Sequence, residues 1–93
     1  MIMLESRTYR VVGRVQGVGF RWFTYDAARR EGLVGVVRNE PDGGVEAIVE
    51  GDRMALDRFE GAIRRGPAGA RVDAVDRECS PASGQYADFS IEG

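Results

Sequence analysis

The chain alternates twice between β-branched runs and helical stripes, and its tightest turn falls between two of the strands; few folds accept that order. Thr8 to Val15 (TYRVVGRV) is short and β-branched, which predicts a strand. A glycine-containing loop, Gln16 to Gly19, follows it. From Phe20 to Arg30 the pattern FRWFTYDAARR puts Phe20, Phe23 and Ala27 on one helical stripe, with Arg29 and Arg30 in the last turn and Gly32 as the stop. Leu33 to Asn39 (LVGVVRN) reads as a second strand, Pro41-Asp42-Gly43-Gly44 as a turn, and Val45 to Glu50 (VEAIVE) as a third strand that closes a hairpin. Asp52 suits the N-cap of a second helix, Arg53 to Arg65, with the stripe Leu56, Phe59 and Ile63 and the stop Gly66-Pro67. Arg71 to Glu78 alternates imperfectly and predicts a fourth strand, and Asp88 to Glu92 a short last one. The order β-α-β-β-α-β with an extra C-terminal strand predicts an α+β, ferredoxin-like sandwich, two helices on one face of a mostly antiparallel sheet.

Length and composition narrow the function. The 93 residues carry no repeat, low-complexity tract or linker, so one domain over residues 1–93 is expected. The start MIMLESR is too short and too soon charged for a signal peptide, and no apolar run approaches membrane-spanning length. A cytoplasmic protein with no membrane partner is therefore expected. The single Cys79 excludes an internal disulfide, in keeping with a reducing compartment. A net charge of −2 argues against recruitment of nucleic acid by a global basic field. The absences say more. There is no His and no Lys, all 13 cations are Arg, and Asn39 is the sole Asn. Imidazole catalysis, Schiff-base lysines, P-loop lysines and zinc sites built on Cys and His are excluded. Chemistry is left to Arg, carboxylates, hydroxyls, amides, the backbone and one thiol.

Two segments have the residue types for a site. Gly13 to Arg21 (GRVQGVGFR) joins the first strand to the first helix. Amides at a helix N-terminus lack intrahelical partners and lie at the positive end of the helix dipole, so an anion fits there. Gly17 and Gly19 allow close backbone approach. Arg21, in the first helical turn, adds to the positive pole, a placement that makes sense with an anion between the two, and its guanidinium suits two phosphoryl oxygens. On spacing alone, a plain turn explains the glycines equally well, and one arginine among 13 is most often a solvated surface group. The segment is neither a Walker loop nor a Rossmann fingerprint. The second segment is Gly35 to Asn39 (GVVRN), ahead of the hairpin turn. Asn39 is a turn residue on one reading and, on the other, a neutral amide able to donate to and accept from a water molecule.

Together these segments resemble the acylphosphatase family. The first matches the family pattern of an apolar residue followed by GxVQGVxFR in full, from Val11 to Arg21. The second matches a glycine, an aromatic, any residue, a basic residue and Asn, then G-x-V and a later Gly, here Gly35, Arg38, Asn39, Gly43, Val45 and Gly51. The departure is Val36, where the family usually has an aromatic, a change expected to affect sheet packing rather than chemistry. The resemblance implies that Arg21 binds the phosphoryl group with the backbone amides of Gln16, Gly17, Val18, Gly19 and Phe20, and that Asn39 holds the attacking water. It further implies hydrolysis of the carboxyl-phosphate bond of an acyl phosphate, with inorganic phosphate as product, no cofactor or metal and no covalent intermediate. A monomer is expected.

That chemistry is reasonable without His or Lys. Phosphoryl transfer runs through a loose transition state, where catalysis is mostly positioning and charge neutralisation. A carboxylate, whose acid has a pKa of roughly 4–5, departs at neutral pH without a general acid. An alkyl phosphate monoester has a poorer leaving group and needs an acid or a metal. The missing histidines thus favour acyl phosphates independently of the resemblance, while leaving the acyl group open. Other candidates read more plainly. Cys79 has no basic partner and is expected to be a small, at least half-buried apolar residue. Glu40 and Asp42 are expected to be solvated in the turn, and Trp22 and Tyr25 to be partly exposed at the mouth of the site. Two rival functions share the fold. An RNA-binding module needs exposed aromatics and a basic face, and the strands offer mainly Tyr9. A sensing or carrier domain would bind phosphate without turnover. Similar domains also occur inside larger hydrogenase maturation factors, but a chain from Met1 to just past its last strand suggests a free-standing enzyme.

Overall fold

In the computed structural model, which describes residues 3–93, the chain runs β1 (Leu4–Arg14), α1 (Phe20–Arg30), β2 (Val34–Asn39), β3 (Val45–Asp52), α2 (Arg53–Arg65), β4 (Arg71–Pro81) and β5 (Phe89–Glu92). The strands form one sheet in the order β4-β1-β3-β2-β5. Neighbours are antiparallel except β2 and β5, which are parallel. This is the expected α+β sandwich. Both helices lie on one face. There Tyr9, Val11, Val37, Val45, Ala47 and Val49 from the sheet pack with Phe20, Ala27 and Ala28 of α1 and Leu56, Phe59 and Ile63 of α2.

Both helices have the expected bounds. The stripe of α2 is buried as read, with Ala55 and Ala62 beside it. That of α1 turns slightly: Phe20, Thr24, Ala27 and Ala28 are buried, and Phe23 is half-buried. Thr24 can take the inward position because its hydroxyl donates to the Phe20 carbonyl at 2.9 Å, which satisfies it within the helix.

Three strands, β1, β3 and β4, run longer than their apolar patterns, while β2 and β5 each start one residue later than read. β1 starts at Leu4, where the charged stretch Glu5 to Arg7 hides it. Arg7 is buried with its stem in the sheet, and its guanidinium reaches Glu5 (2.6 Å), Asp57 (2.8 Å) and Glu60 (3.3 Å), tying β1 to α2. Burial works against this cation, but the hydrogen bonds it donates to Tyr9, Glu5 and Asp57 outweigh it and hold the guanidinium charged. The uneven alternation of β4 has a local cause. The register shifts opposite Val12 and Gly13, so Ala74 pairs with Val12 and Val72 with Gly13. Asp73 is the extra residue of a bulge, which lets Val72 and Val75 lie on the same face.

One expectation is corrected. Cys79 is exposed, on the edge strand β4. Tyr9 is fully buried against Phe59 on the helix side, with ring centroids 5.7 Å apart. The open-face positions of the strands therefore carry no aromatic among the described residues. They carry charge in register: Asp76, Arg10, Glu46, Arg38 and Glu92 form one row across the five strands, with signs alternating. Val36 also points to this open face, opposite Ile48 and Ser90.

Candidate active site

β1 ends at Arg14 and α1 begins at Phe20, so the chain must reverse within Val15 to Gly19. Gly17 and Gly19 make the reversal at φ 76° and 77°, in the left-handed region that costs a side-chain-bearing residue ~1–2 kcal/mol. Gly19 is the N-cap of α1. No side chain caps this helix and no acid sits in its first turn. The first intrahelical bond runs from the Phe23 amide to the Gly19 carbonyl at 3.0 Å, leaving the amides ahead of it without partners inside the helix. The N-terminus of α2, in contrast, is closed by Asp52, which accepts from the Met54 amide at 3.2 Å.

Asn39 comes to this end of the molecule from β2. Alternation along the strand puts Arg38 on the open face, bonded to Glu46 and Glu92 at 3.1 Å each, and Asn39 on the helix side with the buried Val37. Asn39 pairs with Val45 at the last rung before the turn. Gly17, Gly19, Phe20, Arg21 and Asn39 all line one cavity of about 110 Å³, together with Val15 and Trp22. Of the residues expected to bind the phosphoryl group or the water, these five meet there, and Trp22, expected at the mouth, lines the same space. Val18 does not line the cavity and packs instead against the core. Gln16 does not line it either; its side chain turns to the hairpin.

Two contacts hold these parts in place, and the sequence patterns pointed to neither. The Gln16 side-chain amide donates to the carbonyls of Glu40 (2.8 Å) and Gly44 (2.9 Å), so both its N–H groups grip the two ends of the hairpin turn next to Asn39. The turn is closed from within by the Glu40 amide on the Gly44 carbonyl (2.8 Å) and the Gly44 amide on Asp42 Oδ1 (2.9 Å). The only available signal for Gln16 was its type, a primary amide with two donors in an otherwise apolar loop. The second contact is from Arg21 Nη1 to the backbone carbonyl of Glu92 on β5, at 2.8 Å. Among the described residues no carboxylate pairs with Arg21. Its guanidinium is thus oriented without being neutralised. A backbone carbonyl leaves no mark in the sequence.

The groups whose ionisation the fold shifts are elsewhere. Hydrogen bonding to Arg7 holds the Glu5 carboxyl low. Burial would raise Glu60, but hydrogen bonds from Arg77, Arg64 and Tyr9 outweigh it and hold it low. Burial pushes the Tyr9 phenol up. None of these lines the cavity.

Fold and cavity together define a small α+β domain with an uncapped helix N-terminus, an unneutralised arginine and a neutral amide facing one anion-sized space. The acylphosphatase family model matches residues 7–91. An acylphosphatase of Koribacter versatilis is 46% identical over 89 residues, which cover 96% of this chain and 81% of that protein. One from Rhizobium etli is also 46% identical over 89 residues, 96% of this chain and 95% of that protein. The crystal structure of acylphosphatase from Bacillus subtilis superposes with a TM-score of 0.91 at 38% identity, covering 98% of this chain and 100% of that one. The chain belongs to the acylphosphatase family.

Proposed function

We propose that this chain hydrolyses the carboxyl-phosphate bond of acyl phosphates by direct attack of water on phosphorus. In this reading the Arg21 guanidinium and the backbone amides of the Gln16 to Phe20 loop take the phosphoryl oxygens, and Asn39 orients the water. The water oxygen bonds to phosphorus as the bond to the acyl oxygen breaks. The acyl group leaves as a carboxylate, and the water proton passes to a phosphoryl oxygen or to solvent, giving inorganic phosphate. No group of tuned acidity is needed, because the leaving group is a weak base. No step runs through a metal or a covalent intermediate. The protein works as one domain over residues 1–93, as a monomer in the cytoplasm, on a small-molecule acyl phosphate.

The observation that carries the reading is that Arg21 and Asn39, from a helix start and a strand end, line the same cavity. An RNA-binding reading loses its main support with Tyr9 inside the core. The test is Arg21→Ala assayed on acetyl phosphate. Removing a preorganised donor to transferring charge costs ~10²–10³-fold, so kcat/KM is expected to fall at least that far, with inhibition by inorganic phosphate weakened and the thermal midpoint little changed. A variant that turns over acetyl phosphate like the wild type would rule out this role.

A further inference from the structure

The cavity is small. Ligand pockets that enclose a whole organic molecule typically measure roughly 300–1,000 Å³, against about 110 Å³ here. It has room for a phosphoryl group and the attacking water, and the acyl group must project from its mouth. What the acyl group meets there decides which acyl phosphates are used.

Most of the lining offers an acyl group no apolar contact. Gly17 and Gly19 have no side chains, Arg21 and Asn39 are polar, and Val15 and Phe20 are 1% and 2% exposed, turned into the core. Trp22 is the exception. It is 65% exposed and lines the same cavity. Single exposed apolar side chains are ordinary and need no explanation, but this one is braced. Its ring stands edge-on to Tyr25, with centroids 5.6 Å apart and planes at 74°. The Tyr25 hydroxyl accepts from Arg29 Nη1 at 2.7 Å, and the Arg29 guanidinium carbon lies 5.6 Å from the Tyr25 ring centre. Tyr25 in turn packs on Phe89, at 6.2 Å between centroids, and Phe89 is 3% exposed. The indole thus stands at the end of an aromatic series rooted in the core. An apolar face held in place loses little entropy when a ligand settles on it.

We propose that Trp22 is the acyl-group platform of this site and makes it selective for acyl phosphates with an aromatic or bulky apolar acyl group over small ones. The proposal rests on the phosphoryl-site reading above and adds the substrate class to it. The phosphoryl end is fixed by the loop and Arg21, and the acyl substituent lies against the indole.

The experiment compares kcat/KM for benzoyl phosphate and acetyl phosphate in the wild type, Trp22→Ala and Trp22→Phe. Aromatic pairs are worth enough to change a rate constant about 3- to 10-fold. The benzoyl-to-acetyl ratio is expected to fall by that factor in Trp22→Ala, mostly through a higher KM for benzoyl phosphate, and to be largely kept in Trp22→Phe. A ratio that stays within twofold in Trp22→Ala, or a fall that Trp22→Phe shares in full, overturns the platform. A wild type that hydrolyses neither substrate overturns instead the hydrolase reading beneath it. Because Trp22 is exposed, the substitutions do not put folding at risk.

Discussion

A cation in the first turn of a helix is at the wrong pole, where like charge costs typically ~0.3–1 kcal/mol. Arg21 sits there next to amides without intrahelical partners, and among the described residues its guanidinium donates to a neutral carbonyl at 2.8 Å rather than to a carboxylate. The arrangement is stable in proportion to what binds it, so an anion should stabilise the protein. Asn39 contributes no charge, and in the proposed mechanism its value lies in position. Displacing a positioning group costs ~10²-fold in rate without a matching loss of binding. Asn39→Ala should therefore lower kcat about that far while the inhibition constant for inorganic phosphate changes much less; steady-state kinetics with phosphate as competitor separates the two. An equal loss of both would make Asn39 a phosphate ligand or a folding residue. The placement of Arg21 and Asn39 in one cavity was legible in the sequence, Asn39 because it is the sole Asn and Arg21 because it directly follows the glycine loop that shapes the backbone. The Glu92 carbonyl was not, since every residue has one.

At the scale of elements, the site is a junction between the β1–α1 loop and the β2–β3 hairpin, and Gln16 is the fastening. Its two donors take the Glu40 and Gly44 carbonyls at the two ends of the turn. Gln16→Ala should free the hairpin end that carries Asn39. Two lost hydrogen bonds are worth about 1–3 kcal/mol together, and kcat should fall about tenfold with a smaller change in phosphate inhibition. Gln16→Glu, which has no N–H to give, should behave like the alanine variant; near-wild-type turnover in both would leave Gln16 with no part in positioning. The helices were legible because periodicity and stop residues agree, from Phe20 to Arg30 and from Arg53 to Arg65. Strand ends were less so. Leu4 to Arg7 reads as polar because Arg7 is buried through ion pairs rather than through apolar contact. The β4 pattern is broken by Asp73, whose bulge depends on a partner strand far away in sequence.

On the scale of the whole molecule, β4 and β5 are consecutive in sequence yet occupy opposite edges of the sheet. The segment between them must cross the open face, and a single carboxylate anchors it there. Glu50, 4% exposed on the central strand β3, accepts from the Ser83 hydroxyl (2.6 Å), the Ser83 amide (3.0 Å) and the Gly84 amide (3.1 Å). Burial alone would raise its pKa, but these bonds and one from Ser6 outweigh it and hold the carboxyl below its ordinary 4.5. The crossing leads to β5, whose Glu92 carbonyl orients Arg21, so the anchor bears on the site as well as on the fold. A carboxyl whose pKa is lower folded than unfolded adds stability above the unfolded value and loses it as pH falls through the folded one. The thermal midpoint of the wild type should therefore drop as pH is lowered below about 4.5, with Glu5 and Glu60 contributing in the same direction. Glu50→Gln keeps the shape and removes the charge. Hydrogen bonds to a charged group are worth about 1.5–3 kcal/mol, and in a domain of this size each kcal/mol moves the midpoint by roughly 4–8 °C. At pH 7 the variant should melt lower by at least about 5 °C, and its gap to the wild type should close as the pH falls through the Glu50 transition. Thermal melts followed by circular dichroism from pH 7 downward would check both, and a gap that persisted undiminished in acid would assign the anchoring to shape rather than to charge.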